Sequence, residues 1–330
     1  MTADRAQAGE ARFDIPTAPY GDIIPPRQPG DTGGSAGLAQ GVWRTARPRQ
    51  WLKNVLVFAA PGAAGVLFHA HAFGRAAAAF GIFCVASSGS YFLNDAIDAE
   101  ADRLHPAKRN RPVASGVLPA PGAIAVGAFL LALALGLSAA VGLKLLVAMA
   151  TYVAIPAVGY SLWFKHEPVF DMAAVASGFI VRAIAGGVAT GVPLSNWFLI
   201  VASFGSLFVV AGKRYAEYQG LGDDAAGHRA TLGRYPLGYL RYVRSVSSAV
   251  AIAGYCVWAF EKASPGGHPG GGAIWFELSI APFVLAILRY SLILEEGGGD
   301  APEDVFVHDR PIELLAAAWA LVFALGVYAI

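Results

Sequence analysis

Charge is scarce in this chain. Of its 330 residues only 14% are Asp, Glu, Lys or Arg, against 56% hydrophobic, and the mean hydropathy is +0.52. Soluble domains carry roughly 25% charged residues, so a soluble enzyme is excluded and an integral membrane protein is indicated. Cysteine is nearly absent. Cys84 and Cys256 lie in apolar runs without CxxC spacing and read as small packing residues, so no disulfide framework is expected. The seven histidines are scattered, with only His69 and His71 close together, so no zinc site is expected either. There is no Gly-rich nucleotide loop and no Ser-His-Asp or Cys-His arrangement. The first 42 residues hold no apolar run, which excludes a signal peptide. Rich in Gly, Pro, Ala and charge, residues 1–42 read as a disordered cytoplasmic tail ahead of a membrane domain over 43–330. Nothing suggests a nucleic-acid partner.

What the chain does have is apolar length. Nine segments of spanning size are predicted near 53–71, 75–95, 121–142, 145–163, 172–190, 196–212, 243–260, 273–294 and 312–330. Pro61-Gly62 interrupts the first and Pro282 the eighth, kinks that membrane helices tolerate. Most of the 24 Lys and Arg fall in the tail and the even-numbered connections. The positive-inside rule therefore puts the N-terminus and these connections in the cytoplasm and the C-terminus outside a plasma membrane. The connections between segments two and three, and six and seven, are long for a helical bundle. Trp197, Trp258 and Trp275 read as interfacial belt residues.

The rare acids are placed with a pattern. Tyr91, Asn94, Asp95, Asp98 and Asp102 fall on one face of a helix at 3.6 residues per turn. Carboxylates this close repel unless a cation sits among them, and hard oxygen ligands suit Mg²⁺, which binds through one or two carboxylates plus substrate phosphates. Asn94, Asp95 and Asp98 are the candidate metal ligands; Asp95, Asp98 and Asp102 are the candidate catalytic acids. A charge run is more often a solvated helix end, but this one abuts lipid-facing sequence, where charge is costly and functional. Arg103, Lys108, Arg109 and Arg111 follow at once, adding an anion site to the same loop.

NDAIDAEAD at 94–102 resembles the NDxxDxxxD motif of the UbiA superfamily of intramembrane prenyltransferases, and the continuation through Arg111-Pro112 and Gly116 is similar to that family's too. The resemblance covers about 43–330. It implies an all-α fold of nine transmembrane helices, with cytoplasmic loops capping the active site. Typical members carry a second acidic motif, DxxYAxxDxxxD, between helices six and seven. Here 212–223 reads GKRYAEYQGLGD, so Tyr215, Ala216 and Asp223 match while Gly212 and Gln219 replace acids. With RPRQWLKN at 47–54 and KRYAE at 213–217, the chain resembles the decaprenyl-phosphate phosphoribosyltransferase branch. That branch moves 5-phosphoribose from phosphoribosyl pyrophosphate to a polyprenyl phosphate lipid, releasing pyrophosphate, in making the cell-wall arabinan donor. A homo-oligomer is implied only because relatives associate.

Both implied substrates carry phosphate, so cations matter. Lys53 at the start of the first segment, Lys108 and Arg111 after the acids, Lys165 after Tyr160, and Lys213 and Arg214 are the candidate substrate-binding residues, with Tyr91 and Tyr160 beside them. Arg182 stands about ten residues inside the fifth segment, where an arginine marks a substrate or a partner such as Asp171. An aromatic or quinone-precursor prenyltransferase of the same fold would need the complete second acidic motif. A transporter would need acids near mid-helix and internal repeats.

Overall fold

A computed structural model describes residues 35–105, 108–221, 231–263, 273–299 and 301–328. Among these residues all regular structure is helical. Helix α1 (Ser35–Ala46) is followed by a 3₁₀ segment (Pro48–Phe58) and α2 (Ala59–Ala63). Then come α3 (Ala70–Ile97), α4 (Ala99–Leu104), α5 (Ala120–Val141) and α6 (Leu143–Tyr152). A π-turn (Val153–Gly159) joins α6 to α7 (Tyr160–Leu162), and α8 (Phe170–Thr190) and α9 (Asn196–Leu221) follow. The chain continues through α10 (Leu237–Ala263), α11 (Ala273–Leu278), α12 (Ile280–Glu295), α13 (Pro302–His308) and α14 (Arg310–Tyr328).

Eight helical stretches among the described residues are long and apolar enough to cross a membrane, against nine predicted. The difference lies in the segment at 53–71. It forms an 11-residue 3₁₀ run and a short α-helix in place of one long helix. A 3₁₀ helix rises about 2.0 Å per residue and an α-helix about 1.5 Å, so the two pieces together reach about 30 Å, the thickness of a hydrocarbon core. The segment has the reach of a span with too few α-helical residues to count as one.

Prolines explain two further irregularities. Pro156 sits inside the π-turn, where it has no N–H for an α-type bond. Pro282 likewise leaves Leu278 without its i+4 donor, and the eighth span breaks at Ser279, between α11 and α12. The Ser279 hydroxyl bonds the Phe276 carbonyl at 2.6 Å and lies 2.7 Å from the Tyr255 hydroxyl.

Two boundaries differ from expectation. The predicted tail ran to 42, yet α1 begins at Ser35: Val42 packs beneath α3 and α5, and Gly41 lies against Val117. Residues 1–34 lie outside the described residues. The sixth span was placed at 196–212, but α9 continues to Leu221, so Lys213 and Arg214 are helical residues and not part of a loop.

The core is continuous through α3, α5, α6, α8 and the 3₁₀ segment, with Phe83, Leu145, Met149 and Val57 fully enclosed. Gly186 is what lets α8 meet that segment. A Cβ there would lie 1.8 Å from the Val57 carbonyl oxygen, so backbone touches backbone. At the far end, Arg75 donates to the last carbonyls of α8 and α5, Ala189 and Val141. Trp258, read above as a belt residue, is 8% exposed and stacks on Phe323 inside an aromatic cluster.

Candidate active site

The acidic motif keeps its helical register. Asp98 sits at the joint between α3 and α4, yet its N–H still bonds Asn94 and the Asp102 N–H still bonds Asp98. Tyr91, Asn94, Asp95, Asp98 and Asp102 therefore share one side, facing the bundle and the loop that follows. Asp95 and Asp102 are buried.

Each carboxylate has a cation. Asp95 Oδ1 accepts from Arg47 Nη2 at 2.6 Å and from Arg111 Nη1 at 3.2 Å. Arg111 also reaches Asp102 Oδ2 at 2.7 Å, and Lys165 Nζ donates to Asp98 Oδ1. Three carboxylates thus pair with three cations among the described residues, and Lys108 stands near Asp102 as well. Asn94 Oδ1 lies 3.5 Å from the Ser161 hydroxyl, at the end of the π-turn. Burial pushes the Asp102 carboxyl above the usual carboxylate range, while Arg111 and Lys108 nearby pull the other way.

Arg47 is the residue that sequence reasoning missed. It precedes Pro48, which disfavours the α region and ends α1, and it adopts φ 51°, ψ 62°. That left-handed turn costs roughly 1–2 kcal/mol in a non-glycine residue. It delivers the guanidinium to Asp95 and over the Tyr91 ring, 4.8 Å from its centroid. The Arg-Pro pair was the available signal.

The remaining predicted residues divide. Lys53 lies on the 3₁₀ segment and Lys108 on a short turn beside Asp102. Tyr160 closes the π-turn, near enough to Arg214 to interact with it electrostatically. Arg214 does not face the acidic cluster. It is 3% exposed, and donates from Nε to Asp171 Oδ2 and from Nη1 to Glu217 Oε2, both at 3.0 Å. Asp171, the acid that sequence offered to Arg182, is also held by the Tyr235 hydroxyl, which in turn accepts the Val169 N–H. Burial and that bond to Asp171 hold the Tyr235 hydroxyl well above its ordinary range. Lys213 is half-buried and has no carboxylate partner among the described residues.

Arg182 stands alone in the middle of α8, eleven residues after Asp171 and so roughly 16 Å along the axis. It is 7% exposed. Its Nε donates to Asn54 Oδ1 at 2.6 Å, Nη1 to the Gly178 carbonyl at 2.6 Å and Nη2 to the Tyr152 hydroxyl at 3.1 Å. Phe83, Tyr152 and Phe179 supply ring faces within 6 Å, and no carboxylate pairs with it among the described residues. Asn54, also missed, is fully buried and donates to Ser87 and Cys84.

The residues that replace acids in the second motif are packed against their neighbours. A Cβ at Gly212 would lie 2.7 Å from the Leu294 side chain of α12, which would have to shift, and Gln219 donates to the Tyr215 hydroxyl. Asp223 lies outside the described residues.

Among proteins of known description, the chain is 43% identical over 295 residues to a decaprenyl-phosphate phosphoribosyltransferase of Corynebacterium glutamicum, covering 88% of each. It is 43% identical over 293 residues to one of Mycobacterium tuberculosis, covering 86% of this chain and 93% of that protein. A solved UbiA homolog from Archaeoglobus fulgidus, bound to GPP and Mg²⁺, superposes with a TM-score of 0.65 at 20% identity, over 88% of this chain and all of that one. At that identity the likeness concerns the fold. The sequence model of the UbiA prenyltransferase family matches residues 55–310, and the chain belongs to that family.

Proposed function

We propose that this membrane enzyme transfers 5-phosphoribose from 5-phosphoribosyl 1-pyrophosphate to a polyprenyl monophosphate, releasing pyrophosphate, as a step toward a cell-wall arabinan donor. The relatives' names support the reaction, and the observation that carries it in this chain is the pairing of Asp95, Asp102 and Asp98 with Arg47, Arg111 and Lys165. A diphosphate arriving there competes with the carboxylates for those cations, and a divalent cation that comes with it offsets the repulsion. Among the described residues no three acids, histidines or cysteines form a metal cage. Mg²⁺ takes one or two carboxylates and completes its shell with substrate phosphates. Asn94, Asp95 and Asp98 are the residues that would hold it. There it would neutralise the charge developing on the leaving diphosphate, a contribution of several kcal/mol.

The chain's own groups do the rest. Arg47, Arg111 and Lys165 are within reach of both the carboxylates and any phosphate beside them, and guanidinium forks suit phosphate oxygens. Asp102, bridged through Arg111 to Asp95, orients that fork. C1 of the ribose passes through an oxocarbenium-like state as the leaving group departs. The acceptor phosphate is already anionic at pH 7, so no general base is required. The second reading, prenyl transfer to an aromatic acceptor, is disfavoured by Gly212 and Gln219.

The test incubates purified protein, Mg²⁺ and decaprenyl phosphate with labelled phosphoribosyl pyrophosphate. Labelled lipid is expected; an unlabelled lipid beside turnover of a prenyl diphosphate onto an aromatic acceptor would sink the reading. Asp98→Asn should cut turnover at least about a hundredfold, the scale of losing one preorganised electrostatic group. Its melting temperature should hold, because a partly exposed ion pair contributes little stability. Normal turnover at saturating Mg²⁺ would remove Asp98 from the metal site. The distribution of Lys and Arg supports a cytoplasmic active site in the plasma membrane. A cysteine placed at His105 should then react with impermeant reagents only in inside-out vesicles; labelling in intact cells would reverse the topology.

A further inference from the structure

A second basic cluster lies at the same end of the bundle, on another side of α9. Arg214 faces α8, but Tyr215 turns toward α10 and α12, and its hydroxyl donates to Glu295 Oε2 at 2.6 Å. Gln219 Nε2 and Arg241 Nη2 each donate to that hydroxyl at 3.0 Å. Glu295 takes both arginines: Arg244 Nη2 donates to Oε1, and Arg241 Nη2 lies 3.5 Å from Oε2. Both guanidinium groups sit over the Tyr215 ring, Arg244 at 4.3 Å and Arg241 at 5.7 Å from its centroid. Two positive charges therefore rest on one carboxylate.

Two features separate this arrangement from a closed ion pair. Arg244 is 6% exposed, yet its Nη1 is buried with no acceptor among the described residues. An unmet N–H on a buried charge is costly, which favours a ligand able to accept from it. Ser247, one turn deeper on α10, also has a buried hydroxyl without a partner among those residues. The Arg241 side chain, by contrast, is 55% exposed and forms an open mouth.

We propose that this cluster binds a phosphoryl group, with Arg241 at the mouth and Arg244 beneath it. Guanidinium forks braced on an aromatic face match phosphate geometry, and basic pockets between membrane helices at the cytoplasmic side take lipid headgroups. Glu295 is the internal anion that a phosphoryl group displaces from the forks. The site stands apart from the Asp95 cluster: its hydrogen bonds among the described residues link Tyr215, Gln219, Arg241, Arg244 and Glu295, and none involves Asp95, Asp98 or Asp102. A lipid headgroup and free phosphate offer the same chemistry, so the test must tell them apart.

Wild type, Arg241→Gln and Arg244→Gln are placed in phosphatidylcholine nanodiscs with and without phosphatidic acid, and retained lipid is counted by native mass spectrometry. Inorganic phosphate is titrated as the soluble arm, and melting temperature is recorded on every sample. Wild type should select phosphatidic acid, and each variant should bind it about tenfold more weakly, the scale of one charge-assisted hydrogen bond. Binding of inorganic phosphate without lipid selection, lost in the same variants, keeps the site and assigns it a soluble ligand. The proposal falls if wild type takes neither probe. It falls equally if Arg241→Gln, whose exposed side chain the fold does not need, binds both as wild type does.

Discussion

Arg214 of α9, which meets the first turn of α8, and Arg182 in the middle of α8 are both buried, and their charges are met differently. Arg214 has two carboxylates, Asp171 and Glu217, and sits in a closed set of ion pairs that Tyr235 completes. Arg182 has neutral acceptors and aromatic faces only. Mutual attraction in a low dielectric offsets desolvation for the first. The second keeps its charge by hydrogen bonds and ring quadrupoles. An incoming anion would gain little at Arg214, where it competes with two carboxylates. At Arg182 it would be the first carboxylate-like group that guanidinium meets. Depth in the bundle thus separates a brace from a charge without a carboxylate.

The largest expected effect breaks the brace. Arg214→Leu leaves Asp171 buried with only a tyrosine, and severing a buried pair from one side typically costs about 3–5 kcal/mol. Thermal unfolding in detergent should show a large drop, while the molecules that stay folded turn over at a near-normal rate. Adding Asp171→Asn should return much of the lost stability. A stable Arg214→Leu protein that has lost donor binding would instead make Arg214 a substrate ligand and erase the contrast.

Gly186→Ala acts on the other arginine from a distance. The new methyl meets the Val57 carbonyl, which cannot rotate away as a side chain would, so the 3₁₀ segment must move off α8. Asn54 lies three residues before Val57 and carries the bond to Arg182. Overpacking of this kind costs about 1–3 kcal/mol, and donor affinity should weaken with it if Arg182 works through that register. Unchanged melting and unchanged donor KM together would show that the segment is loosely held.

How much of this was legible beforehand follows from what hydropathy and periodicity measure. The acidic face from Tyr91 to Asp102 could be read because helical register carries through the joint at Asp98. The first span could not, since a hydropathy window counts residues and assumes an α-helical rise. The end of α9 was misplaced because Lys213, Arg214 and Glu217 look like loop residues on a hydropathy scale. In the folded chain Arg214 and Glu217 pair one turn apart and Asp171 closes the pair, so the helix continues. Arg47 and Asn54 were hidden for a different reason. Their partners lie 48 and 128 residues away; Arg47-Pro48 signals a turn, but no local pattern names the distant partner.

The smallest expected effect is the sharpest test of the contrast. Arg182→Lys keeps the charge but replaces three directed donors with one ammonium, which cannot serve Asn54, Gly178 and Tyr152 from a single plane. If Arg182 also meets donor phosphate through its remaining N–H groups, donor KM should rise about tenfold, the equivalent of about 1.4 kcal/mol. Melting temperature should fall only slightly, because the charge stays where the ring faces hold it. If Arg182 is a brace like Arg214, the two readouts exchange places: melting falls clearly and the folded fraction binds donor with an unchanged KM. Both quantities are measured on one preparation. An unchanged KM beside a lowered melting temperature would withdraw Arg182 from the substrate site and leave Arg182 of α8 and Arg214 of α9 as two structural arginines that differ only in how their charge is met.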